Sequence, residues 1–148
     1  STLFLLFGAG PAALGLAAAL LVQGLFFAPF DLPQYGMNVT TLLVPLAGVA
    51  LLARRIIAPD TAYADLDYRQ VLALSATYQG GIVAWVAFWA FYGQGLTVEN
   101  LAAVGTFAAA YTTVLLVEPF LDLAVLAGAK AMSGRSVFIL QRRLFRAV

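Results

Sequence analysis

The chain has 148 residues, 63% of them hydrophobic and 10% charged, with a net charge of +1. A soluble domain carries about a quarter charged residues, so this composition excludes a water-soluble globule and points to an integral membrane protein. The sequence holds no cysteine and no histidine, which removes disulfides, thiolate chemistry, iron–sulfur clusters and histidine-ligated haem.

Thr2 to Phe7 is apolar but too short to cross a hydrocarbon core ~30 Å thick, and "GAGP" (Gly8 to Pro11) interrupts it. This piece reads as the closing turns of a helix, so residues 1–148 are expected to form one transmembrane domain, the C-terminal portion of a larger membrane protein. A first span runs from about Pro11, a residue suited to a first helical turn, to Phe30. Its first half, "PAALGLAAA", is rich in the small residues that let membrane helices approach closely. "DLPQYGMN" then reads as a polar loop with Pro33 and Gly36 as turn residues. A second span covers about Val39 to Ile57, with Pro45 inside it, and "RRIIAPDTAYADLDYRQ" forms a long hydrophilic connection. A third span, about Val71 to Tyr92, ends in Trp85, Phe88, Trp89, Phe91 and Tyr92, the pattern of an interfacial aromatic belt. A fourth runs from about Leu101 to Leu126, and "KAMSGRSVFILQRRLFRAV" resembles a basic amphipathic segment lying on the membrane. The fold class is therefore all-α: a polytopic bundle of four spans with a short N-terminal helical piece and a basic tail.

The charges orient the bundle. Arg54, Arg55 and Arg69 lie between the second and third spans; Lys130, Arg135, Arg142, Arg143 and Arg146 lie at or beyond the end of the fourth. The other two connections hold only Asp31 and Glu99. By the positive-inside rule the basic connection and the C-terminus are cytoplasmic, as in a bacterial inner-membrane protein, and Asn38 faces outward.

Glu118 and Asp122 sit four apart on one face of the fourth span. They read either as a structural anchor between helices, paired or hydrogen-bonded, or as an ion or proton relay. Asn38 reads as the N-cap of the second span or, with Tyr35 and Gly36, as support for an outward-facing pocket; the two roles are compatible. Gln23 is placed to hydrogen-bond between helices, and Tyr78 and Gln79, beside Gly80 and Gly81, mark a close polar contact. Asp60, Asp65 and Asp67 lack the spacing of a calcium loop and read as solvated. No nucleotide-binding, nucleophile-elbow or zinc-protease motif occurs, so neither an enzyme nor a nucleic-acid partner is expected.

"LLFGAGPAALGLAAALLVQGLFF" (Leu5 to Phe27) followed by "YGMNVTTLLVPLAGV" (Tyr35 to Val49) resembles the cobalt/nickel substrate-capture component of energy-coupling factor transporters, the CbiM/NikM family. Gly8, Pro11, Gln23, Gly36 and Asn38 fall on that family's "FGPxPA" break, its V/L-Q-A/G-L step and its "LGAN" loop. "LLVEPFLDLAV" (Leu115 to Val125) is similar to the family's last helix, with Glu118 at its glutamate. The resemblance implies capture of divalent cobalt or nickel, with a transmembrane coupling subunit and cytoplasmic ATPases of the ABC class as partners. It also implies that the metal is held by an N-terminal Met-His segment and a further histidine upstream of the break. The 148 residues supply neither, so no metal ligand or cofactor is assigned among them; transport of Co2+ or Ni2+ would need those histidines. Ala13 and Ala17 on the small-residue face are the expected docking surface for the coupling subunit. The alternative reading is a non-catalytic transmembrane accessory subunit packed inside a larger membrane complex.

Overall fold

The computed structural model describes residues 1–132 and 143–144. The chain opens with α1 (Thr2–Phe7) and turns at Gly8, whose φ of +90° suits a residue without Cβ. It continues as α2 (Ala9–Phe26) and a 3₁₀ segment (Pro29–Gln34) that runs directly into α3 (Tyr35–Ile56). A two-residue strand β1 (Thr61–Ala62) and a 3₁₀ turn (Tyr63–Asp65) lead to α4 (Tyr68–Gln94) and then α5 (Val98–Ala131). Strand β2 (Arg143–Leu144) pairs antiparallel with β1, Ala62 opposite Arg143. The four helices α2 to α5 are each long and apolar enough to cross a membrane, α3 together with the preceding 3₁₀ segment. They pack in chain order, with α3 and α5 against α4, α2 against α3, and α1 folded back on α2.

The helices extend beyond the apolar windows because polar residues cap them. Asp67 and Gln70 form a capping box at the start of α4: the Asp67 side chain accepts from the Gln70 backbone, and the Asp67 N–H donates to Gln70 Oε1 at 2.9 Å. Thr97 caps α5 by accepting from the Asn100 N–H at 3.2 Å. Asn38 does not cap α3. The helix starts three residues earlier, at Tyr35, and its N-cap position is Gln34, whose side chain makes no capping bond. The cap is unnecessary there because the 3₁₀ segment feeds the helix, with the Tyr35 N–H bonded to the Leu32 carbonyl. "YGMN" is thus the first turn of α3 and not a loop.

Two close approaches set the packing. A Cβ built on Gly81 would stand 2.8 Å from Pro45 Cβ, so α4 meets α3 where each lacks something: one a side chain, the other an amide hydrogen. A Cβ on Gly24 would lie 2.7 Å from Leu32 Cδ2, which seats the 3₁₀ segment on α2. Near the far end of α4, the indoles of Trp85 and Trp89 both donate to Thr40 Oγ1 on α3, at 3.3 and 3.2 Å. Two members of the aromatic cluster expected as a belt thus tie α4 to α3. Asn100 closes the α4–α5 turn by donating to the carbonyls of Ala90 and Gly95, at 2.9 and 2.8 Å.

At the opposite, basic end, the long hydrophilic connection is folded down and not merely solvated. Tyr63 and Leu66 are fully buried, Gln70 Nε2 donates to the Ile56 carbonyl at 2.6 Å, and Lys130 Nζ to the Ala64 carbonyl at 2.9 Å. The basic amphipathic segment expected from Lys130 to Val148 lies mostly outside the described residues, Arg135, Arg142 and Arg146 included. Among the described residues, Arg143–Leu144 is a strand with Leu144 buried, so at that point it is not a surface helix. Within the spans, hydroxyls turn back on their own helices: Thr41 on Met37, Thr77 on Ala73, Thr106 on Ala102 and Thr112 on Ala108, all at 2.8–3.0 Å.

Overpacking a tight core contact costs about 1–3 kcal/mol. Gly81→Val is therefore expected to lower the thermal unfolding midpoint in detergent. Gly80→Ala, where an added methyl meets nothing within 4 Å, leaves the midpoint unchanged or raises it.

Candidate functional site

Two places in the bundle gather polar side chains from different helices. The first lies at the end remote from the arginines. There α2 contributes Gln23, the 3₁₀ segment Asp31, and the first turn of α3 Tyr35 and Asn38, around a small cleft floored by Gly24 and Leu32. The Tyr35 hydroxyl donates to the Ala17 carbonyl at 2.9 Å, which fixes the register of α3 against α2. The cleft has about 10 Å³ of free volume, room for about one water molecule. Gly36 is exposed and does not line the cleft.

The structure brings Gln23, Tyr35 and Asn38 together, as sequence reasoning did not foresee for Gln23. That residue was expected to bond to another helix; among the described residues its side chain has no such partner, and it is exposed at the rim. Asp31 completes the group. These side chains offer only amide, carboxyl and phenol groups, and no cluster of three or more acidic, histidine or cysteine side chains occurs among the described residues.

The second place lies toward the basic end, where α1, α2, α3, α4 and α5 line a half-open cavity of about 130 Å³. Glu118 and Asp122 share its α5 wall but behave differently. Asp122 is buried and is an anchor: it accepts from Ser1 Oγ and Thr2 Oγ1, both at 2.5 Å, and from the Thr2 N–H at 3.3 Å. Residues 120 and 121 positions away in sequence thereby strap α1 to α5. No lysine or arginine among the described residues pairs with either carboxyl group. Glu118 is half-buried and makes no hydrogen bond with any described residue.

Of the polar contact expected at Tyr78 and Gln79, the structure forms the Gln79 half. Gln79 is completely buried and its Oε1 accepts from the Tyr111 hydroxyl of α5 at 2.6 Å. Gln79 Nε2, Ser75 Oγ, Tyr78 Oη and Tyr63 Oη are buried without a well-formed hydrogen bond. Burial pushes the Tyr63 phenol up from its ordinary value, so it stays protonated at physiological pH. Ala13 and Ala17 are half-buried, and Ala13 packs against the core. The freely exposed part of α2 includes Leu14, Gly15, Ala18 and Ala19.

In comparison with known protein families, residues 1–135 match the family model described as the cobalt uptake substrate-specific transmembrane region. No curated protein and no solved structure matches the chain.

The Asp122 strap has a measurable signature. Hydrogen bonds to a charged group contribute about 1.5–3 kcal/mol, so Asp122→Ala should lower the thermal midpoint, with the Ser1 and Thr2 hydroxyls left without an acceptor. Thr2→Val should lower it in the parent chain but have little further effect in the Asp122→Ala background, the non-additivity of groups in direct contact.

Proposed function

The chain belongs to the CbiM family, the substrate-specific transmembrane region of cobalt uptake, and from that membership we propose that it forms the body of a capture subunit for divalent cobalt or nickel in an energy-coupling factor transporter. One observation carries the reading. Two stretches separated in sequence, the Gln23–Gly24 step and the Tyr35–Asn38 turn, fold onto the same cleft between α2 and α3. In the proposed subunit this cleft is the floor of the capture site.

Chemistry limits what the floor does. Selecting cobalt or nickel over magnesium calls for nitrogen donors in a fixed geometry, and this cleft offers an oxygen-dominated set. Asn38 and Tyr35 therefore act as supports. Tyr35 locks α3 to α2 through the Ala17 carbonyl, and Asn38 presents an amide that can orient a ligand-bearing segment laid across it. The imidazole donors come from outside these 148 residues.

The transporter assignment also orients the bundle. With the arginine-bearing connection between α3 and α4 in the cytoplasm of a bacterial inner membrane, the cleft opens outward and the Glu118–Asp122 cavity lies in the inner half. The lightly covered α2, with Ala13 and Ala17 beside its exposed small residues, is the surface proposed for a transmembrane coupling subunit, which passes the work of cytoplasmic ATPases to this chain.

Loss of a supporting group around a metal site costs about 10–100-fold in metal affinity or activity. Asn38→Ala is expected to reduce cobalt uptake by at least about tenfold in cells that also express the coupling subunit and ATPases, at normal membrane abundance; undiminished uptake would overturn the role of Asn38. The chain contains no cysteine, so single-cysteine labelling tests the orientation directly. In intact cells an impermeant maleimide should label a Gln34→Cys variant and spare an Asp65→Cys variant, and the reverse pattern would refute the topology.

A further inference from the structure

We propose that the bare face of α5 around Glu118 is a docking groove for a transmembrane helix of a different protein, one that carries a lysine or arginine within the membrane. α5 packs chiefly on α4 and on the 3₁₀ turn Tyr63–Asp65, which leaves a long side of it uncovered. On that side Thr113, Val114, Val117, Glu118 and Leu121 line an open groove of about 350 Å³. Val114, Val117, Glu118 and Leu121 follow the i, i+3, i+4, i+7 spacing of a helix-packing seam. The three apolar members are 39%, 50% and 60% exposed.

Two polar groups in this groove are unmet. Glu118 has no hydrogen bond or ion pair with any described residue. Thr113 is the one threonine among the described residues whose hydroxyl takes part in no hydrogen bond, whereas its neighbour Thr112 turns back on the Ala108 carbonyl. An ionisable group within a membrane is costly unless a partner meets it. A wholly apolar helix laid in the groove would cover the valines and the leucine but strand the carboxyl group. A helix with one cation at that level satisfies both, and the Thr113 hydroxyl is left to bond to the same helix.

Depth and charge identify the occupant. Lys130 reaches the hydrophilic connection through the Ala64 carbonyl, and Glu118 stands about 18 Å further along the helix at 1.5 Å per residue. A lipid headgroup at the interface does not reach that far into a ~30 Å core. A second copy of this chain does not supply the charge either, because the sequence holds no lysine or arginine from Ser1 to Ala53 or from Gln70 to Ala129. The cation therefore comes from another membrane protein. This surface is separate from α2, proposed above for the coupling subunit, and its chemistry does not depend on the transport reading.

The test uses the purified full chain in liposomes, carrying a donor dye at a Leu96→Cys substitution in the α4–α5 turn. Its probes are acceptor-labelled leucine-alanine transmembrane peptides with either arginine or leucine at the central position. Energy transfer should saturate with the arginine peptide, at a mole fraction about tenfold lower than with the leucine peptide. Glu118→Gln should remove that preference, and Thr113→Val should weaken association by a smaller factor. Val117→Trp, which fills the groove, should weaken it as well. Glu118→Lys should lose the arginine peptide and gain a peptide with a central glutamate. No preference for arginine over leucine by the parent chain, or a preference undiminished in Glu118→Gln, would overturn the groove. In cells, a benzophenone amino acid in place of Leu121 should crosslink to a different protein in a Glu118-dependent way. An adduct confined to this protein, within one copy or between copies, would overturn the separate occupant.

Discussion

A polar atom placed in hydrocarbon has no solvent to turn to, so each must be met by another part of the chain or by something the chain holds. That requirement accounts for much of the geometry. Asp122 draws α1 across the bundle because Ser1 and Thr2 satisfy it. Gln79 and Tyr111 couple α4 to α5 for the same reason, and Trp85 and Trp89 converge on one threonine hydroxyl of α3. Apolar packing alone would allow these helices to slide, since lipid tails are as apolar as leucine; the polar contacts and the Gly81–Pro45 approach set register.

The sequence made the spans legible because a run of some twenty apolar residues has few other uses. It was less informative about where each helix begins. Hydropathy reports the greasy window, whereas the ends are set by Asp67 with Gln70 and by Thr97 with Asn100, polar residues that a window average assigns to loops. The D-x-x-Q spacing before α4 was readable as a capping box. The start of α3 was harder, because Asn38 is a good cap by residue type and only the 3₁₀ segment ahead of it makes a cap redundant.

Candidate residues were legible as individuals and not as groups. Glu118 and Asp122 are equivalent in sequence, four apart on one helix, yet one is saturated by a segment more than a hundred residues away and the other faces a cavity. Only tertiary structure separates them. Gln23 and Asp31 gained meaning through Gly24, whose missing side chain admits Leu32 and brings the 3₁₀ segment onto α2. The family motifs flagged Gln23 and Asn38 from the outset, and the fold supplies the reason: they border one cleft.

The backward-turned threonine hydroxyls alter what the surrounding bilayer meets. Thr106 and Thr112 are exposed on α5, and each has spent its hydrogen on its own backbone. What such a residue shows to an acyl chain is chiefly a methyl group, so it behaves there much as valine would. Helix α5 therefore wears a greasier coat than its letters suggest, and polar letters on its outer surface need not announce a wet channel or a neighbouring protein.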